Sequence, residues 1–328
     1  MLAAVALFAS GIGLWATDSG PFRDSYCWGA WQERSGPGLL SGEHMGEGEK
    51  VTATESAPPS ASGEPAECEV TVTWKRPGKA DVSSQVVSVS YGRLPEEEQE
   101  HRAWLARFLP ATMTPLPEGL DGTVAKNRAM YVMPAGCDVK GRPTVVTVHG
   151  NDRDIGRESE VARLLVDVAE TAMRSAGCAP REPLDRTLPM ATLASGDEER
   201  SGGKDMCRIP GVRFDLGGVK YTEFAAVFGD RLQVCTSRIA RRHADGRDPG
   251  LHLVMTGSPR LSALFAGLPE GADKGLVQRT CDGRKTTFYM RPELLKGRGV
   301  PDDRTVFGNF VRSVSERMGC GKDEGNAR

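Results

Sequence analysis

A strand and a helix framed by two cysteines occur twice in this chain, and few patterns constrain a fold as tightly. The first frame runs from Cys137 to Cys178 and the second from Cys281 to Cys320. Both open on Cys-Asp and pass a basic turn into an apolar strand, Thr144 to Val148 or Thr286 to Met290. Both then cross a polar loop and enter a helix that ends on Gly-Cys. In the first helix Val161, Leu164, Leu165, Val168, Ala169, Ala172, Met173 and Ala176 share one face at helical spacing. In the second, Val306, Phe307, Phe310, Val311, Val314 and Met318 do so. A glycine just past a helix suits a left-handed closing residue, so each helix is expected to return its last cysteine to the sheet edge where the frame began. A bridge closing a loop of about 40 residues contributes roughly 2–4 kcal/mol.

The eight cysteines fall four to each half: Cys27, Cys68, Cys137 and Cys178, then Cys207, Cys235, Cys281 and Cys320. None forms Cys-x-x-Cys, so a zinc ribbon or thioredoxin-like site has no support. An even count at long spacing reads as structural disulfides and an oxidising compartment. Order and spacing favour Cys27–Cys68, Cys137–Cys178, Cys207–Cys235 and Cys281–Cys320, while four cysteines per half still allow three pairings in each.

The 328 residues suffice for two ordinary domains, and a formal net charge of -2 is unlike that of a nucleic-acid binder. Residues 1–17 read as a membrane anchor or signal segment: Leu2 to Ala16 is apolar and uncharged. At 1.5 Å per residue that stretch spans ~22 Å, short for a bilayer core of about 30 Å. Leu14-Trp15-Ala16 is a poor cleavage site, which favours an uncleaved single-pass anchor over a secreted, cleaved form, although the basic flank expected of either is missing before the stretch.

A first module is expected over 18–184, with a low-complexity loop at 41–67, rich in Gly, Glu, Ser and Pro. Cys68 to Trp74 alternates as a half-buried strand and turns at Arg76-Pro77-Gly78-Lys79 into a strand from Val86 to Tyr91. A helix follows, acidic at its start (Glu96, Glu97, Glu98), with Trp104, Leu105 and Phe108 inward and His101 on its polar face. The second module, 185–328, opens on a linker at 185–205 and ends in a polar tail from 321. Within it Tyr221 to Phe228 suits a strand or a short helix, Arg231 to Ile239 and Leu251 to Met255 suit strands, and Leu261 to Leu268 a short helix. Leu116-Pro117-Glu118-Gly119 recurs as Leu268-Pro269-Glu270-Gly271, in each case between a helix and a Cys-Asp strand. The fold class expected is α+β: two tandem copies of a small module, each a mostly antiparallel sheet with helices packed on a face, after an N-terminal hydrophobic segment.

Candidate chemistry is sparse. No Gly-x-Ser-x-Gly elbow, Walker A loop, dinucleotide fingerprint or His-Glu-x-x-His occurs, so no catalytic residue, metal ligand or cofactor is assigned. His149 ends a strand with Asp152 and Asp154 close behind, a polar edge able to meet a ligand. Arg238, Arg241 and Arg242 form a basic cluster at a turn between strands, suited to an anionic polymer or headgroup. An N-terminal anchor, Cys27-Trp28-Gly29 opening the folded part, the strand cysteine Cys68 and Arg- and Ala-rich helices together resemble the membrane-anchored extracytoplasmic proteins of actinomycetes. That resemblance implies a cell-envelope location and transfers no catalytic residue. The function expected is a non-enzymatic, membrane-anchored module that binds an envelope protein or polymer and no nucleic acid. A wall-modifying hydrolase and a carrier of a small apolar ligand are the alternatives.

Overall fold

The structure, a computed structural model, describes residues 25–32, 50–75, 81–151, 153–185, 198–200, 205–213, 221–239, 249–291 and 302–320. These form four α-helices and three antiparallel sheets. Residues 1–17, most of the linker, Asp152, Arg241, Arg242 and the tail from 321 lie outside the described residues.

The first half opens on a two-stranded ribbon, β1 (Ser25–Tyr26) and β2 (Trp31–Gln32). Its main sheet holds β3 (Lys50–Glu55), β4 (Ala66–Lys75), β5 (Val82–Arg93), β6 (Thr114–Pro115), β7 (Gly122–Ala125), β8 (Arg128–Val132) and β9 (Thr144–Gly150), in the order β3-β4-β5-β9-β8-β7-β6. Helix α1 (Glu98–Phe108) leaves β5, and α2 (Glu158–Ala176) follows β9. The second half holds β10 (Glu198–Arg200), β11 (Tyr221–Phe228), β12 (Leu232–Ile239), β13 (Pro249–Thr256), β14 (Leu276–Cys281) and β15 (Arg284–Met290), in the order β10-β11-β12-β13-β15-β14. Helix α3 (Pro259–Ala263) leaves β13 and α4 (Asp303–Arg317) closes the half. In each sheet a three-stranded meander leads to a helix. The next long strand, β8 or β14, pairs with its successor, β9 or β15, and that successor closes onto the meander.

Period-2 alternation shows why helices lie on both faces. In β8, Ala129 and Tyr131 join the core under α2, while Met130 and Val132 point the other way. In β13, Leu251, Leu253 and Met255 meet α4, while Val254 turns inward. In β15, Phe288 and Met290 meet α4, and Tyr289 turns inward. The inward faces share one core, in which Leu105 and Phe108 of α1 pack with Leu261 of α3, Val234, Leu276 and Tyr289. The layers therefore run α2, first sheet, a central layer with α1 and α3, second sheet, α4.

Both long helices end alike. Gly177 and Gly319 take left-handed φ of 70° and 63°. Cys178 N then donates to Met173 O at 3.0 Å, and Cys320 N to Ser315 O at 2.9 Å. These six-to-one bonds are Schellman closures, and they deliver the cysteines to Cys137 and Cys281. The other two bridges are Cys27–Cys68 and Cys207–Cys235. Four disulfides fit an oxidising, extracytoplasmic environment. No helix among the described residues is long and apolar enough to cross a membrane.

Three expectations are corrected. The stretch 41–67 is not all loop, because β3 lies inside it and pairs with β4 from Lys50↔Thr73 to Glu55↔Cys68; Pro59 beyond it is buried. The linker contributes β10, an edge strand on β11. His101 does not lie on a polar face: it is 2% exposed, because the second half covers that side of α1.

Candidate functional site: the cleft where the halves meet

The two Leu-Pro-Glu-Gly turns converge. Leu116 and Leu268 are buried anchors, and each glycine takes a φ that disfavours side chains, 90° at Gly119 and 141° at Gly271. Between the turns opens a cleft of about 690 Å³. The first half lines it with Glu118, Gly119 and Asp121; the second with Arg231, the Gly257–Ser258–Pro259 entry to α3, Phe265, Leu268, Glu270, Gln278, Arg284 and Lys285. A hollow of about 180 Å³, bordered by Leu116, Pro117, Phe228 and Leu261, shares Glu118 and Arg231 with it.

Several polar groups at the cleft serve the fold. Ser258 caps α3, its Oγ accepting from Leu261 N at 3.2 Å and donating to Asp121 Oδ1 at 2.5 Å. Asp121 lies 3.7 Å from Arg231. Arg284 is paired with Asp230. Burial, reinforced by Asp121, pushes the neighbouring Tyr131 up to about 12. Glu118, Glu270 and Lys285 have no ion-pair partner among the described residues, and both carboxylates are exposed. Phe265 and Leu268 are buried behind the cleft surface, and its exposed lining includes Pro259, Ala266, Lys285 and one carboxylate from each half. No histidine is among the described residues that line the cleft, and the Ser258 hydroxyl is engaged by Leu261 N and Asp121.

The cleft walls are fixed by polar bonds between the halves. Arg260 of α3 donates to Met133 O and forks onto Asp138, at 3.0 Å and 2.6 Å. Arg102 of α1 donates to Lys274 O at 3.1 Å. Ala111 N donates to Thr236 Oγ1 at 3.0 Å. His101 Nε2 lies 2.7 Å from Leu264 O, and His252 Nε2 lies 3.0 Å from Leu109 O.

Of the residues singled out from sequence, His149, Asp154 and the backbone of Arg238 lie among the described residues. His149 sits on β9, half-buried, edge-on to Phe108 at 6.4 Å. Burial, with Arg107 and Arg128 beside it, lowers its pKa to about 4, so it is neutral at pH 7 in a positive surrounding that repels a cation. Asp154 is exposed and Asp152 lies outside the described residues, so the expected His–Asp edge is not assembled among the described residues. Arg238 does not occupy a turn: its backbone is in β12, opposite Thr222 and Pro249.

Sequence reasoning also missed two glutamates. Cys27 and Trp28 have φ of 52° and 60°, and Cys207 and Arg208 have 51° and 56°. Consecutive left-handed residues aim their N–H groups together at an anion. Glu55 Oε1 accepts from Cys27 N at 2.5 Å, and Glu223 Oε1 accepts from Cys207 N at 2.8 Å. Cys27, Glu55 and Cys68 also lie within 4.8 Å of one another, but both sulfurs are spent in a disulfide and leave no thiolate for a metal.

No family model, curated protein or solved structure matches the chain.

Proposed function

We propose that this chain is an extracytoplasmic binding module built from two copies of one α+β unit, tethered by residues 1–17 as in the actinomycete envelope proteins it resembles. Its ligand is taken in the cleft between the halves. The duplication reading is supported by the matching strand order, the paired Schellman closures and the two glutamate-capped, left-handed cysteines. The observation that carries the binding reading is that both Leu-Pro-Glu-Gly turns open onto one cleft. A duplicated turn that served only to reverse the chain has no reason to meet its counterpart there.

The chemistry of the cleft suits an envelope peptide or protein segment with apolar side chains and a cationic group. Pro259 and Ala266 supply apolar contact, and Glu118 and Glu270 supply charge, one from each half. The test is titration calorimetry of the disulfide-intact protein with a short alternating Leu/Lys peptide and its Leu/Glu counterpart. Saturable binding of the Leu/Lys peptide is expected. It should weaken at least tenfold in the Glu118→Gln/Glu270→Gln double variant and fall with added salt. Equal binding of both peptides, or no effect of the double variant, contradicts the reading.

A further inference from the structure

We propose that the joint between the halves is an acid-released latch, in which His101 and His252, each bonded to the helix end of the opposite half, are tolerated in the closed joint only while neutral. The arrangement is reciprocal. His101 belongs to α1, and its Nε2 meets the carbonyl of Leu264, the cap of α3. His252 belongs to β13, and its Nε2 meets the carbonyl of Leu109, the cap of α1. Both rings are buried, at 2% and 1% exposure.

A carbonyl only accepts, so Nε2 carries the proton in both rings. In His252 the lone pair is then on Nδ1, a buried atom with no hydrogen-bond partner. Protonation there creates an N–H without an acceptor and a charge without solvent. The charged groups around the joint do not relieve it. Arg291, whose own buried Nε has no partner, raises the local potential at His252. Arg102 stacks 5.5 Å from the Tyr289 ring, itself edge-on to His252 at 5.9 Å. His101 faces Arg142 and Arg102. Two nearby carboxylates, Glu98 and Glu96, are engaged by Arg102 and Arg142. Helix ends favour a cation, but α3 is only five residues long and the guanidinium groups oppose the charge.

Burial is the largest cause lowering both rings, His252 to about 4, although each carbonyl bond acts in the opposite direction. A base lowered in the closed form binds fewer protons there than in the open form. The latch is therefore at full strength above about pH 6.5 and weakens as pH falls towards 4. For His252 alone the open-to-closed ratio at pH 5 is about 20-fold higher than at pH 7. Each disulfide closes within one half, so opening the joint leaves all four intact. Release of a ligand on opening rests on the reading of the cleft given above; the opening itself does not, and is measured without ligand.

The test is hydrogen–deuterium exchange of the full oxidised chain at pH 7 and pH 5, corrected for intrinsic rates. Amides of α1 and α3 should lose at least tenfold protection at pH 5, while those of α2 and α4 keep theirs. A His101→Gln/His252→Gln variant, whose amides donate without titrating, should lose this difference. Two results overturn the proposal: α1 and α3 as protected at pH 5 as at pH 7, or all four helices losing protection together. The wild-type comparison decides even if the variant does not fold.

Discussion

Glu55 and Glu223 each accept the backbone N–H of a bridged cysteine held in a conformation that a non-glycine residue rarely adopts. Each carboxylate thus compensates a local backbone cost, and Glu223 is itself 7% exposed. Replacing either by alanine should lower stability by about 1.5–3 kcal/mol, the range for a hydrogen bond to a charged acceptor, without changing the disulfides. Urea denaturation checks this, and an effect below a few tenths of a kcal/mol at both sites would show the capping to be incidental. His252 acts at the same scale with the opposite charge preference. Lowered to about 4, it contributes about 2 kcal/mol at pH 7 that is lost by pH 5. Neither glutamate was legible in the sequence, because each contact joins a loop cysteine to a distant strand. Glu55 is hidden further: Lys50–Glu55 is short and mixed, flanked by residues without hydrophobic periodicity. His101 was misplaced because the residues beside it in sequence are polar, although Leu105 and Phe108 at i+4 and i+7 share its helix face, and the surface that buries it comes from the other half.

At the scale of elements, the two long helices and their closures were the most legible parts. A 3.6-residue apolar stripe and a terminal Gly-Cys are local signals, and the eight apolar positions marked on α2 are all buried. The short hairpin of β7 and β8 was not read, since four or five residues carry too little alternation to announce a strand. It nevertheless holds Asp121, a lining residue of the cleft whose carbonyl accepts from Val132 N at 2.8 Å. Gly122 starts β7, and a Cβ there would come 2.2 Å from Met130 O and 2.7 Å from Leu116 Cδ1. Gly122→Ala should therefore push the first Leu-Pro-Glu-Gly turn away from β8, at a cost of about 1–3 kcal/mol. Thermal melts and the peptide titration check it together. Peptide affinity should fall more than tenfold in the folded variant. Unchanged affinity would detach the turn from binding.

For the whole molecule, the cleft is the feature least visible in the chain. Its walls come from turns far apart in sequence, and only the repeated tetrapeptide hinted that they are related. The cysteine frame was the most visible, since covalent reach limits where two bridged residues can lie. The disulfides, the sheets they brace and the joint between them make one arrangement: two halves, each closed by its own pair of bridges and meeting across a shared core. The most direct measurement is non-reducing peptide mapping by mass spectrometry of the protein recovered from its native compartment. The account predicts four linked peptide pairs, Cys27–Cys68, Cys137–Cys178, Cys207–Cys235 and Cys281–Cys320. Free thiols throughout, or any bridge between a cysteine before 185 and one after it, would contradict it.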